Sequence, residues 1–329
     1  HCKHLSNQNY QAKAVATGCS LGVDSFSTII DHIGTDCSPS YRLTHFTYFN
    51  VGAHGDKNLD KVKESYDNDF KLVDAYAKTK KIPVVAVESN ISKLYEGFDF
   101  NQCALIRNMS VVLSMQKLFR RYIYASSFHI RDTSFSNKDM HYQSPFLLPA
   151  LSTETTELIN GDPCLDRVNK TRKIADFEDT YKYLYVCWKE LIANDGLNED
   201  IAKVKDEFLN CTRCDKCLRT ILTLDILGKK EKYHNIFDLK YYDKSKDLYV
   251  GKVIAYKRRE TYYQEIYQLM KETDFPITLK ARIYTFMWTI YKVIGFGVNY
   301  RWLRLPGHSR CIRDHRPCAP LRWRPLRDH

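Results

Sequence analysis

The chain lacks any uninterrupted run of 18 apolar residues, so no transmembrane helix is expected. It shows no cleavable secretory signal, which leaves its 11 cysteines without the oxidising compartment a disulfide framework needs. They read instead as thiols or metal ligands in a reducing cytosol, and a cytoplasmic protein is expected. No Gly-Lys-Ser/Thr ends its one small-residue loop, which excludes the Walker type of phosphate site. Internal repeats and low-complexity tracts are missing too. So is an obvious nucleophile–base pair, which does not exclude an enzyme that works by positioning and charge neutralisation.

Lysine is absent from the last stretch, residues 301–329, which holds eight arginines, two aspartates and four prolines. That tail carries +6 of the formal +11 charge, leaving +5 over the first 300 residues. The switch from lysine to arginine reads as a foreign or wrong-frame end. A basic arm for nucleic acid is the alternative, not favoured on this charge distribution. At 329 residues the chain can bury a large core and suggests about two domains.

Thr-Gly-Cys-Ser-Leu-Gly-Val-Asp-Ser at 17–25 joins a short apolar run to a helical pattern of Phe26, Ile29, Ile30 and Ile33. A small-residue loop entering a helix aims backbone N–H groups and the positive helix end at one point, which suits a phosphate. Gly22 permits close approach, Ser20 and Ser25 offer hydroxyls, and Asp24 can hold Mg²⁺ between phosphate oxygens. Ser20, Gly22, Val23, Asp24 and Ser25 are therefore the candidate nucleotide contacts.

Cys211-Thr-Arg-Cys214-Asp-Lys-Cys217 sets three thiols at successive two-residue gaps, the pattern of a metal knuckle. Cys187 is the expected fourth ligand, with Cys164 second. Zinc closes a four-cysteine shell without redox chemistry; an iron–sulfur cluster stays open as the alternative.

The first of these motifs resembles the PP-loop of the ATP pyrophosphatase (adenine nucleotide alpha hydrolase-like, HUP) superfamily, with Leu21 where that family usually has a glycine. Together with the knuckle it is similar to 7-cyano-7-deazaguanine synthases. It is closer still to a bacterial branch in which Val-Cys-Trp precedes Asn-Cys-Gly-x-Cys-x-Lys-Cys-x-Arg-Thr. Here these are Val186-Cys187-Trp188 and Asn210 to Thr220, with Thr212 for the glycine and a longer insert at 189–209. Arg107-Asn108 resembles an Arg-Asn pair of the synthases. The resemblance spans roughly residues 12–230. It implies ATP and Mg²⁺, and adenylation of a carboxylate or amide of a small molecule with release of pyrophosphate, completed by ammonia or another nucleophile. It also implies a base framed near Gly52 and a later basic residue, from Arg172 or Lys173, on the leaving pyrophosphate. A sulfur-inserting enzyme acting on RNA, with Cys19 or Cys103 as a reactive thiol, is a second reading. A non-catalytic nucleotide-binding module is a third.

Alternating patterns predict an α/β fold, a parallel sheet with helices on both faces, plus the metal knuckle and a helical C-terminal annex. Strands are expected at 13–17, 42–49, 84–88 and 122–127, and helices at 25–33, 59–80, 102–119 and 218–227. Phosphates belong at the carboxyl ends of such strands, where Gly52, His54 and Ser126 also fall. Arg107, in the early turns of the third helix, is a candidate clamp for a carboxylate or phosphate. The expected organisation is a nucleotide-binding domain at 1–160, a lid with the cysteines at 161–228, the annex at 229–300, and the tail. Leu279, Ile283, Phe286, Ile290 and Val293 recur at helical spacing, as core or partner packing would require.

Overall fold

Each strand is a run of five to seven residues, and the five pair side by side in the order β3-β2-β1-β4-β5, every pair parallel. They are β1 (Ala14–Gly18), β2 (His45–Asn50), β3 (Val84–Glu88), β4 (Phe119–Ala125) and β5 (Glu157–Gly161). The helices between them are α1 (Val23–Ile33), α2 (Leu59–Lys80), α3 (Phe100–Ser114) and α4 (Ser144–Leu151). After the sheet come α5 (Arg167–Ile174), the single turn α6 (Thr180–Tyr183) and α7 (Asp215–Ile226). The annex is α8 (Leu239–Tyr256), α9 (Thr261–Glu272) and α10 (Leu279–Ile294). The computed structural model describes residues 12–55, 59–135, 139–187 and 207–294; the tail 301–329, Trp188 and most of the insert lie outside them. No helix among the described residues is long and apolar enough to cross a membrane.

Alternation along β1 divides the core. Val15 joins one apolar cluster with α1, α2, α5, α7 and the annex, while Ala14 and Ala16 join another with α3 and α4. Both faces of the sheet are thus covered, as an all-parallel sheet requires. The strand order reverses between β1 and β4, so the loops after these two strands part and leave a crevice at their carboxyl ends.

Two expectations fail here. The helix placed at 102–119 starts at Phe100 and stops at Ser114, and Phe119 begins β4 instead. Asp99 fixes that earlier start, because its side chain and that of Gln102 form a capping box. The edge strand β5, Glu-Leu-Ile-Asn-Gly, was not expected and straddles residues 160 and 161.

The stripe on α10 does not enter the core. Leu279, Ile283, Phe286 and Ile290 are 76%, 53%, 67% and 40% exposed, while Ala281 and Trp288 face α8. The α8–α10 contact is close because residue 251 is glycine: a Cβ there would come within 2.7 Å of Tyr284 Cβ and 2.8 Å of Thr285 N. Gly251→Ala adds about 1 kcal/mol of helix propensity yet is expected to destabilise the protein by ~1–3 kcal/mol through overpacking. Urea denaturation measures the balance; a more stable variant would mean that the helices part freely.

Candidate active site and metal centre

The loop after β1 is built from local backbone constraints. Cys19 N donates to Thr47 O at 2.9 Å, extending the ladder past Gly18. Leu21 then takes φ 57°, the left-handed conformation that favours glycine. Burial offsets that strain: Leu21 is fully buried, and its carbonyl accepts Tyr185 N at 2.9 Å. Gly22 caps α1 in an extended conformation, so the helix opens at Val23. Ser25 donates to Gly18 O at 2.8 Å and closes the turn, while Ser20 stays exposed. Asp24 thereby stands in the first turn of α1, at its positive end.

Opposite it, α5 and α7 supply a concentrated positive field. Arg167 and Lys170, three residues apart, share one face of α5. Arg167 Nη2 meets Asp24 Oδ2 at 2.7 Å, and Lys170 Nζ lies 3.6 Å from Asp24 Oδ1. Lys170 is fully buried and also donates to Ser126, to its carbonyl and, at 3.0 Å, to its hydroxyl. Ser126 in turn donates to Gly161 O at 2.7 Å, so the ends of β4 and β5 hold the lysine in place. From α7 come Lys216 and Arg219, again three apart. Burial, with repulsion from Arg219 and Arg167, pushes the Lys216 ammonium down to about 7. Arg219 lies 4.1 Å and Arg167 5.3 Å from the Tyr262 ring centre. Asp215, also near Arg219, is already engaged by Lys252 at 2.9 Å and Tyr249 at 3.1 Å. Arg167 and Lys170 thus pair with Asp24, Lys216 lies near it and Arg219 near Lys216; among the described residues Asp24 Oδ1 is buried without a hydrogen-bond partner. Such a cluster compensates a multiply charged anion far better than it compensates itself.

Glu265 borders the cluster, accepting Arg167 N at 3.0 Å. Burial first, then the Asp166 charge, raises its carboxyl to about 7. A raised acid contributes stability that is full below its ordinary value near 4.5 and is lost as pH rises through about 7. The thermal midpoint is therefore expected to fall across that window, by an amount equivalent to at most ~3 kcal/mol. Glu265→Gln should flatten that part of the profile; an unchanged slope would remove Glu265 as its source.

The structure brings Asp24, Ser25 and Ser126 together but not the two basic residues expected on the pyrophosphate. Arg172 is half-exposed, bonded to Asn169 Oδ1 at 2.5 Å and 4.0 Å from Glu272. Lys173 ties Asp162 at 2.8 Å to Asp31 at 2.6 Å, on the flank of α1. Helical phase explains the exchange: Asp166 caps α5, turning Arg167 and Lys170 toward the loop and the next two cations away from it. Gly52 follows β2 with φ 101°, a conformation that needs glycine. His54 is packed against Tyr48 and the Tyr66 ring rather than toward the crevice, and burial lowers it to about 4. Arg107 sits in mid-helix, not near the helix start, and is fully buried; Asn108 merely bonds its own helix at Ala104 O, 2.8 Å. Cys19 and Cys103 are both buried, and burial raises the Cys19 thiol strongly, the reverse of an activated nucleophile.

The structure brings all four expected cysteines together in a group that could hold a metal ion. Cys187, Cys211, Cys214 and Cys217 are buried, and their sulfurs all lie within 4.8 Å of one another. Cys164 is exposed and stands apart. Cys211 Sγ is 3.8 Å from Cys217 Sγ, and Cys214 Sγ is 3.3 Å from Cys217 Sγ. Four sulfurs around one tetrahedral ion at about 2.3 Å sit about 3.8 Å apart, so a single ion fits. A four-iron cluster places each thiolate on a different iron and needs a wider set. Backbone N–H groups of Arg213 and Cys214 donate to Cys211 Sγ at 3.4 and 3.3 Å, and Cys211 N donates to Cys187 Sγ at 3.4 Å. Neighbouring thiols draw Cys211 and Cys214 down, while burial pushes Cys187 and Cys217 up, a frustrated set that a cation would resolve. Thr212 takes φ 55°, so it too occupies a left-handed position, and its hydroxyl accepts Asp238 N at 2.9 Å.

Asn210, which opens the cysteine motif but has no role assigned from sequence, joins the pieces. Its amide donates to Leu184 O at 2.8 Å and accepts Val186 N at 2.9 Å, fastening the Cys187 segment beside the knuckle. That same segment holds Leu21 through Tyr185, and Cys214 caps the helix carrying Lys216 and Arg219. The four-cysteine group thus braces both sides of the crevice.

Fold and site define an α/β protein whose parallel sheet carries a loop and basic cluster at its switch point, beside a buried group of four cysteines. No protein-family model, curated protein or solved structure matches the chain.

Proposed function

We propose that the protein is an ATP-dependent, AMP-forming enzyme of the PP-loop type, which adenylates a carboxylate or amide of a small molecule. The observation that carries this reading is the pairing of Arg167 and Lys170 with Asp24, with Lys216 near it and Arg219 near Lys216, beside the loop at the reversal of strand order. The α1 N-terminus and the basic residues of α5 and α7 suit a triphosphate, and Asp24 Oδ1, which accepts no hydrogen bond among the described residues, suits Mg²⁺ among phosphate oxygens. In this reading a substrate oxygen attacks the α-phosphorus and the bond to the β-phosphate oxygen breaks, giving an adenylate and pyrophosphate. Ammonia or another nucleophile then displaces AMP. Lys170 and Arg167 neutralise charge as it shifts onto the departing pyrophosphate, and Lys216 and Arg219 do so from the α7 side. Mg²⁺ when bound supplies further neutralisation of phosphate charge.

For the four-cysteine group we propose zinc, because sulfur donors only and a closed tetrahedral shell make a structural site. The sulfur-transfer reading loses support, since Cys19 and Cys103 are buried and burial raises the Cys19 thiol. The test is metal-analysed protein with Mg-ATP, a pool of small carboxylates and ammonia. AMP and pyrophosphate in equal amounts are expected; ADP and phosphate, or no nucleotide bound at all, would overturn the proposal.

A further inference from the structure

Arg107 is fully buried, yet two of its three guanidinium nitrogens, Nε and Nη2, have no hydrogen-bond partner among the described residues. The remaining nitrogen, Nη1, donates to Val51 O at 3.2 Å, which fixes the group's orientation without matching its charge. A buried cation left so is costly, and a fold with no use for it would be more stable without it. The orphaned pair is specific. Nε and Nη2 share one edge of the guanidinium plane, the edge that receives both oxygens of a carboxylate. Tyr95 and Phe100 flank it, with ring centres 5.3 and 5.5 Å from Cζ. The basic residues of α5 and α7 already provide for phosphate, which leaves a carboxylate for this fork.

Position adds to chemistry. Val51 directly follows β2, whose Thr47 pairs with Gly18 and accepts Cys19 N. Val51 O thus ties Arg107 to the carboxyl edge of the sheet from which the Asp24 loop also starts, with α3 packed on the other face from α1, α5 and α7. The helical turn Ile91–Tyr95 beside it contains no buried residue, and Leu94 and Phe98 are 80% and 62% exposed. Little buried surface holds that segment down, so it can lift to admit a ligand.

We propose that Arg107 anchors a carboxylate of the organic substrate, held by Nε and Nη2 between the rings of Tyr95 and Phe100. Calling that ligand the substrate rests on the adenylation reading; the carboxylate site itself does not. A carboxylate with both oxygens in this fork is a poor nucleophile, so the anchored group is not the one that reacts. The substrate class is then an acid bearing a second carboxylate or an amide, with Arg107 acting on binding and orientation.

Calorimetric titration of the metal-loaded protein, without ATP, tests this with benzoate, its neutral isostere benzamide, and chloride. Saturable benzoate binding at about millimolar strength is expected, at least about tenfold tighter than benzamide or chloride. Arg107→Lys keeps the charge and one donor for Val51 but loses the fork, and should weaken benzoate about tenfold. Tyr95→Ala, at a half-buried position, should weaken benzoate more than acetate. Equal affinity for benzoate and benzamide, no saturable binding up to ~100 mM, or unchanged binding in Arg107→Lys would overturn the proposal. So would equal competition by chloride, an adventitious ion only. Lost benzoate binding with intact AMP release refutes the anchor alone; intact binding without AMP refutes adenylation alone.

Discussion

Cys214→Ser is expected to emerge from purification without metal and with its unfolding free energy lowered by ~5 kcal/mol or more, enough to unfold most domains. The size follows from where the sulfurs sit. All four are buried, so without an ion they leave a packed set of thiols whose protons compete for one another. The consequence also travels outward. Cys214 is the N-cap of α7, which carries Lys216 and Arg219, and the Cys187 segment holds Leu21 through Tyr185 N. Zinc removal by a chelator should therefore weaken anion binding at the Asp24 loop before it unfolds the chain completely. Metal content by mass spectrometry, urea denaturation and pyrophosphate titration check the three parts. A metal-free variant of unchanged stability would show that the cysteines pack as ordinary core.

What could be read from sequence was local. The β1 loop and the knuckle are short stretches whose spacing alone limits their geometry, and both are assembled as expected. Cys187 is distant in sequence but falls in an apolar segment, Tyr-Val-Cys-Trp, that signals burial. Leu21 and Thr212 replace glycines of the resembled pattern, and both positions require positive φ, so the backbone demand outlasts the residue that usually meets it. The cations were missed because charge alone has no direction. Arg172 and Lys173 do lie on the right helix, but only the cap at Asp166 sets which of its residues face the loop. Arg167 and Lys170 stand one and four residues on from that cap, three apart on one helix face. Lys216 and Arg219 lay within the cysteine motif, three apart on one helix face, and their spacing was the available signal. No sequence pattern revealed β5, a short edge strand with polar ends, whose pairing is decided by β4.

Asp24→Ala is expected to reduce Mg-ATP turnover by a factor of ~10³ and also to lower stability by ~2–4 kcal/mol. The second effect is the more telling. Asp24 is the carboxylate facing Arg167 and Lys170, with side-chain exposures of 18%, 15% and 0% respectively. Removing it leaves two largely buried cations beside two more on α7 with their repulsion unrelieved. Partial exposure of Asp24 and Arg167 discounts the penalty below that of a fully buried pair. If the cluster exists to hold phosphates, pyrophosphate should stabilise the variant more than the wild-type protein, because the anion takes over the lost countercharge. Thermal midpoints with and without pyrophosphate at constant ionic strength measure this directly. A variant as stable as wild type, or one that pyrophosphate fails to rescue, would mean that these cations serve packing. The crevice would then not be a phosphate site.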